Sequence, residues 1–279
     1  MSDAARLAAA WADDLASWAI PPAIVDAAPE SPYGFPVELF VRRAAASHDR
    51  EELTTTSRAL EGLGDGGSVL DVGAGGGATS LPLASRCTEL VAVDAQIDML
   101  EALASTASAQ GLAVTTVLGR WPDVAPRTPI VDVVVSGHVA YNAPDLAAFL
   151  TALTMHARRR VVVELTDRHP LTFMNDLWLH FHGVVRPEHP SAHDAEALCR
   201  ALGLDVRRED RTDTDDVARG GFERRADVVG LIRRRLCLPP ERDDEIARAL
   251  GDRLRERAGS WTAGPPEQQV VTLWWDAPD

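Results

Sequence analysis

The sequence predicts an α/β protein built on a doubly wound, mostly parallel sheet of seven strands with helices on both faces. Three observations carry that expectation. From about residue 68 onward, short apolar runs alternate with stretches of helical periodicity, the pattern of a parallel sheet covered on both sides. Those runs are rich in β-branched residues, as at Val161, Val162 and Val163. The first run ends in a cluster of glycines, Gly73, Gly75, Gly76 and Gly77, where an open α/β sheet brings ligands to the carboxyl ends of its strands.

Taken in order, residues 68–72 read as the first strand, followed by the glycine turn and a helix running through 83–86. Residues 90–93 form the second strand and 97–108 its helix; 114–118 form the third. The fourth, 130–135, is bounded by Pro129 and by Ser136-Gly137; a helix at 146–155 leads to the fifth at 160–165. A helix at 193–202 stops at Gly203, and 204–208 and 270–275 supply the last two strands. Residues 222–257 carry two helical patterns separated by Pro239-Pro240. This divides the chain into an N-terminal helical cap over 1–65 and a ligand-binding domain over 66–279. A helical insertion over about 215–264 stands before the last strand as a lid or partner surface. In the cap, Leu7, Trp11, Leu15 and Trp18 recur at helical spacing, as in an amphipathic helix docked on a body. Asp3, Asp13 and Asp14 interrupt its apolar stretch and only Arg6 is basic, which is not the pattern of a secretory leader.

Composition narrows the function. With 46% hydrophobic and 25% charged residues in 279, the chain has the balance of a globular protein with a sizeable core. No apolar run is long enough to span a bilayer. Cys87, Cys199 and Cys237 make neither a disulfide framework nor a metal-ligand spacing, and a reducing, cytoplasmic setting is expected. A formal net charge of −14 argues against a protein that gains affinity by neutralising phosphates, so no nucleic-acid partner is expected. All 28 basic residues are arginine, which excludes lysine Schiff-base chemistry. The arginine clusters at 158–160 and 233–235 read as solvated helix ends. Nothing in the sequence sets an oligomeric state.

The informative segment runs from Val69 to Thr79. Gly73, Gly75 and Ala78 satisfy the glycine pattern of dinucleotide sites, with Asp94 lying 21 residues after Gly73, so an NAD(P)-dependent oxidoreductase is one reading. Asp71 weighs against it. A carboxylate two residues before the first glycine would face a pyrophosphate, and like charges 4 Å apart cost about 4 kcal/mol at an effective dielectric near 20. A ligand bringing an ammonium and a sulfonium would be attracted there instead. Asp94, ending the second strand, can accept both hydroxyls of a ribose and suits either ligand.

Asp71-x-Gly73-x-Gly75-x-Gly77 after a strand, followed by Val93-Asp94-Ala95-Gln96-Ile97-Asp98-Met99-Leu100, resembles the first two motifs of the class I, Rossmann-like, S-adenosylmethionine-dependent methyltransferases. Asp132 to Val139 resembles the fourth. The resemblance covers about residues 66–165. It implies S-adenosylmethionine as cofactor. Asp71, Gly73, Ala74, Gly75 and Gly77 would hold its methionine portion, Asp94 and Ala95 its ribose, and Met99 its adenine. Ser136 would line the loop between the two ligands. The family often carries an acid after the third strand; this chain has Arg120 there, so either backbone groups would read the adenine or Trp121 would stack nearby.

Transfer of a methyl group from a sulfonium is an in-line displacement that mainly requires alignment and desolvation, with a base only where the acceptor must lose a proton. His138 and Tyr141, after the fourth strand, stand where such a base would act. His169, His180, His182, His189 and His193 follow the fifth strand, but without ligand spacing or a completing carboxylate pattern, so no metal is expected. His169 and His182 are candidates to line the acceptor pocket, with Tyr33 in the aromatic turn Ser31-Pro32-Tyr33-Gly34-Phe35-Pro36 folding over from the cap. The acceptor expected is a small molecule, since the chain has no nucleic-acid module and lacks the Asn-Pro-Pro-Tyr motif of many base and amide methylases. A non-catalytic S-adenosylmethionine-binding protein, the oxidoreductase and an RNA methyltransferase using the arginine clusters are the alternatives.

Overall fold

Strands β1 (Gly67–Val72), β2 (Cys87–Asp94), β3 (Val114–Leu118), β4 (Val131–Gly137) and β5 (Ala157–Thr166) run parallel in the order β3-β2-β1-β4-β5. The computed structural model describes residues 2–34, 39–42, 44, 53–214 and 221–278. Phe35 and Pro36 of the aromatic turn and residues 215–220, where the insertion begins, lie outside them. Strand β6 (Arg207–Asp213) closes the far edge. A separate hairpin, β7 (Leu254–Arg257) and β8 (Ser260–Ala263), precedes β9 (Gln268–Asp276), which enters antiparallel between β5 and β6. The chain reverses its winding between β1 and β4, so the crevice for a ligand opens at the carboxyl ends of those two strands.

Alternate residues of the central strands feed two cores, which is why these strands read as unbroken apolar runs. On one face Leu70, Val72, Val134, Val161, Val163 and Trp275 meet helices α1 (Asp3–Ala16), α5 (Leu146–His156) and α7 (Ala192–Ala201). On the other, Val69, Val133, Val135, Val162 and Trp274 meet α3 (Thr54–Leu63) and α4 (Ile97–Ala109), while the short α2 (Pro22–Asp26) lies apart. The helix ends are chemically specified. Ser2 caps α1 by accepting from Ala5, Asp145 caps α5, and Ser191 with Asp194 forms a reciprocal capping box on α7. A third core joins α6 (Asn175–His182), α8 (Arg225–Arg235) and α9 (Asp243–Leu250) to Ile20 and Ile24 near α2, so the insertion and the N-terminal segment pack together.

The structure differs from the sequence expectation at three places. After the glycine turn there is no α-helix, only turns and a 3₁₀ segment at Leu81–Leu83. Three glycines at positive φ cost helix propensity, and Pro82 lacks an amide and disfavours the helical region for its predecessor. Strand β6 starts three residues later than expected and is charged at every position but Thr212; it is an edge strand, and the charges of an exposed edge hide it from a hydrophobicity pattern. The hairpin β7–β8 within the insertion went unanticipated, since Arg255, Glu256 and Arg257 give it no apolar alternation.

The first helix is part of the body. Trp11 is 2% exposed, donates its indole N–H to the Ala143 carbonyl at 2.9 Å and stacks on Tyr141 at 5.6 Å. Replacing Trp11 by alanine removes that contact and leaves a cavity, with an expected cost of about 3–5 kcal/mol. Urea denaturation checks this; an unshifted midpoint would show that α1 is not docked.

Candidate active site

The carboxyl end of β1 builds a tight, ligand-facing turn. Gly73, Gly75 and Gly77 hold φ of 72°, 49° and 91°, the left-handed region in which only glycine is unstrained. A Cβ at Gly73 would stand 2.2 Å from Val139 Cγ2, and one at Gly76 2.6 Å from the Phe40 carbonyl oxygen. The turn is therefore flanked by β4 on one side and covered by the helical stretch at 39–42 on the other. Its amides are fixed from below: Gly73 and Ala74 both donate to the Val93 carbonyl, at 2.8 and 3.0 Å. Asp94, ending β2, accepts from Gly75 through Oδ2 and from Gln96 through Oδ1, both at 2.9 Å, and so binds β2 to the turn.

Beneath this turn lies Asp71, which no solvent reaches. Neither of its oxygens has a hydrogen-bond partner among the described residues, and the nearby Ser80 hydroxyl is likewise unpartnered. Burial pushes the Asp71 carboxyl up to about 7; Ser80 opposes the rise and the Asp94 charge adds to it.

The other residues expected near the cofactor are spread along the same strand ends. Ser136 is buried and donates its hydroxyl to the Val72 carbonyl at 3.0 Å, tying β4 to β1. Ala74 and Met99 are buried, Met99 on the inner side of α4, while Ala95 and Arg120 are exposed. Trp121 turns toward α5, its indole donating to the Phe149 carbonyl at 3.3 Å and its ring set edge-on to His156. Two side chains escaped sequence reasoning here: Ile97 and Leu118 are 48% and 46% exposed beside the ends of β2 and β3, an apolar pair next to Asp94. A large apolar residue at a strand end followed by a polar loop was the available signal.

On the other side of the crevice, His138 follows β4 with φ of 60°, an unusual backbone for a residue with a Cβ. Its amide donates to the Glu164 carbonyl at 2.7 Å, and its ring Nε2 lies 3.0 Å from Glu164 Oε1. Glu164 sits on β5 among apolar neighbours, with Thr55 donating to Oε2 at 2.5 Å and Arg211 Nη2 at 3.4 Å. Thr55 in turn meets the Thr272 hydroxyl at 2.8 Å. Burial would raise this carboxyl, but His138, Arg211 and Thr55 outweigh it and hold it down to about 2. Glu164, too, was missed from the sequence. Its signal was a lone carboxylate in the run Val161-Val162-Val163-Glu164-Leu165, a buried charge that must have partners.

Tyr141 stands away from this reacting position. Its ring is buried between Trp11 and His169, and its hydroxyl donates to the Thr166 carbonyl at 2.7 Å, which makes it a core residue and keeps the phenol protonated. His169 is buried and stacked on Trp18 at 3.8 Å, with its ring lowered to about 4 by burial and by the Arg186 charge, so it stays neutral. His182 pairs with the Leu236 carbonyl at 2.6 Å and tilts over Trp178, tying α6 to α8. Tyr33 is exposed, at 58%, on the segment whose Pro32 and Gly34 carbonyls accept from Arg235. The structure thus brings Asp71, the glycine turn, Asp94, Ser136 and His138 to one crevice and leaves Tyr141 and His182 in structural contacts. Among the described residues no three His, Cys, Asp or Glu side chains stand together as a metal site, and no helix is long and apolar enough to cross a membrane.

Residues 69–159 match a sequence family described as a methyltransferase domain. No curated protein matches the chain. Among solved structures, the YcgJ protein of Bacillus subtilis is 16% identical, with 81% of this chain and 98% of that chain covered and a TM-score of 0.51. A candidate methyltransferase from Bacillus halodurans C-125 is 15% identical over 81% and 97%, also at 0.51. A candidate sarcosine dimethylglycine methyltransferase from Galdieria sulphuraria is 16% identical over 79% and 83%, at 0.50. These likenesses carry the fold, and the family match carries the chemistry. Residues 69–159 are thus a methyltransferase domain carried on a Rossmann-like methyltransferase fold, a domain that implies S-adenosylmethionine as its cofactor.

Proposed function

We propose that this methyltransferase modifies a small molecule in the cytoplasm, and that Asp71, the turn from Gly73 to Gly77 and Asp94 hold its cofactor. One observation carries the cofactor assignment: a fully buried carboxylate with no hydrogen-bond partner among the described residues, directly under a turn that admits no Cβ. A buried polar group left unpaired costs about 1–3 kcal/mol, more for a charge, so Asp71 fits a site completed by a cation. The cofactor's α-ammonium is such a cation. When bound, S-adenosylmethionine supplies a methyl group on an already activated sulfonium. The chain's own work is to position and desolvate: Asp71 neutralises the amino-acid end, Asp94 has lone pairs left for hydroxyls, and Ile97 and Leu118 offer apolar surface to a flat base.

The dinucleotide reading loses further ground on the same site. A pyrophosphate needs the N-terminus of a helix after the turn, and here that helix is replaced by turns and a 3₁₀ segment. A net charge of −14 and three buried thiols support a small acceptor and a reducing compartment over a polymer substrate. Calorimetry with S-adenosylhomocysteine and with NAD separates the cofactor readings: binding of NAD alone would overturn the proposal. Binding of S-adenosylhomocysteine with no methyl transfer to any small molecule would favour a non-catalytic binder. Strongly salt-dependent RNA binding would favour the RNA enzyme.

Two predictions test the pocket. The Asp71 carboxyl is raised from 3.8 to about 7. Between those values the folded, unliganded chain keeps a proton that the unfolded chain has released. Its stability therefore falls as pH rises from about 4 to about 7, by up to ~4 kcal/mol. Asp71→Asn should consequently melt higher than wild type at pH 8 without cofactor, match it near pH 4, and bind S-adenosylhomocysteine at least about tenfold more weakly. Wild-type binding at pH 6 should release close to one proton, read from calorimetry in buffers of different ionisation enthalpy. Second, Gly73→Ala places a methyl group 2.2 Å from Val139 at a positive φ, so it should abolish detectable S-adenosylhomocysteine binding. Retained affinity would show that the turn is not the cradle.

A further inference from the structure

The polar cluster behind His138 is larger than cofactor binding requires. Five side chains from five elements converge on it: His138 after β4, Glu164 on β5, Thr55 on α3, Arg211 on β6 and Thr272 on β9. Register places Glu164 beside Gly137 on one strand and Thr272 on the other, so its side chain rises through the sheet face directly next to His138. Arg211 pairs with Glu164 at 3.4 Å and with Asp213 at 3.3 Å, so the charged groups of the cluster are Glu164, which meets the imidazole directly, and Arg211 and Asp213 behind it. The Glu164 side chain is 12% exposed and the His138 ring 39%, so one end of the pair is anchored in the interior and the other faces the crevice.

We infer that Glu164 is a positioning residue that fixes His138 with Nε2 protonated and Nδ1 open, a general base that takes the proton of a hydroxyl on the small acceptor. The inference rests on the methyltransferase reading of the same crevice. Nε2 is the ring nitrogen within reach of Glu164, and Nδ1 has no partner among the described residues. A proton on Nε2 lies against a carboxylate, so the tautomer with the lone pair on Nδ1 is favoured. The positive φ of His138 turns the ring back onto β5, and a residue with a Cβ holds that backbone only where its surroundings enforce it. In the step itself the hydroxyl proton moves to Nδ1, the acceptor oxygen keeps the electron pair, and the imidazolium formed is balanced by the Glu164 carboxylate. An amine that reacts through a free lone pair needs no such pair of residues; a hydroxyl does.

The full chain with ¹⁵N-labelled imidazoles tests this, His138 being assigned by its loss in His138→Gln. At pH 8 the wild type should show the Nε2–H tautomer at His138. Alkylation with iodoacetamide, mapped by mass spectrometry, should fall on Nδ1. Glu164→Gln keeps the shape and removes the charge, and should lower the ratio of Nδ1 to Nε2 adduct by about tenfold or more. Glu164→Asp should recover part of it. A dominant Nδ1–H tautomer in the wild type overturns the assignment even if Glu164→Gln does not fold, and so does an unchanged ratio in a folded Glu164→Gln. Calorimetry with S-adenosylhomocysteine runs in parallel: intact binding with the wrong tautomer sinks only this inference, while lost binding in the wild type sinks the cofactor site instead. For the acceptor, methyl-labelled S-adenosylmethionine is incubated with a small-metabolite extract. Label recovered as O-methyl products supports a hydroxyl; label on nitrogen or carbon alone overturns it.

Discussion

A carboxylate that is wholly buried and accepts no geometrically formed hydrogen bond from the described residues is the constraint around which this crevice is arranged. Asp71 and Glu164 lie on the same face of the sheet, with β4 between them, and both are buried. They have opposite fates. Glu164 is met by an imidazole, a guanidinium and a hydroxyl and is held down to about 2; Asp71 has only the Ser80 hydroxyl to oppose its rise among the described residues, and reaches about 7. Burial pushes both up, so the difference lies chiefly in partners. A fold does not leave one of two such acids uncompensated without cause, since desolvating a charge costs several kcal/mol. The paired acid serves the protein's own architecture, and the unpaired one fits the proposed cationic ligand.

The end of β4 couples the two. Ser136 donates to the Val72 carbonyl on the cofactor side, Gly137 pairs in register with Glu164, and His138 turns back onto that residue. A Cβ at Gly137 would come within 2.2 Å of Thr79 Oγ1, so the strand runs flush against the segment leaving the glycine turn. Three consecutive residues thus set the distance between the place where a cationic tail would dock and the place where an acceptor would lose its proton. Because that distance is fixed by strand pairing, and interiors are packed too densely to adjust, the two halves of the site behave as one rigid unit.

How much of this could be read from the sequence follows from where each signal resides. The central strands announced themselves because both of their faces are buried, which turns the two-residue alternation into continuous β-branched runs. The glycine turn and its tie to Asp94 were legible because their spacing is local, Asp94 lying 21 residues after Gly73. Glu164 with Thr55, Arg211 and Thr272 was not legible, since its contacts span separations of 109, 47 and, between Thr55 and Thr272, 217 residues. Tyr141 misled for a related reason. Its position after β4 suggested reaction chemistry, but α1, more than a hundred residues earlier, packs Trp11 onto its ring and makes it core. Strand β6 failed on charge: an edge strand carries polar residues by design, so hydrophobic periodicity is blind to it.

The segments after α1 and α6, on which the proposed acceptor wall is built, are assembled in that non-local way throughout. Arg186 is nearly fully buried between the rings of Trp18 and Trp178, at 5.3 and 4.9 Å, and donates to the Ala19 and Trp18 carbonyls. It has no carboxylate partner in those contacts. Burial lowers the guanidinium from its usual range, while the π faces and carbonyl dipoles that meet its charge stabilise the cation. That clamp joins the segment after α1 to the segment after α6, and the core of α6, α8 and α9 extends the same layer. The cofactor half is confined to one contiguous stretch that a family pattern can recognise. The acceptor half is drawn from three separated stretches held by long-range contacts. On the proposed reading, substitutions in the clamp and the insertion can reshape an acceptor wall without touching Asp71, Asp94 or the glycine turn. This is the physical reason the reaction class is written in the strand ends and the acceptor is not.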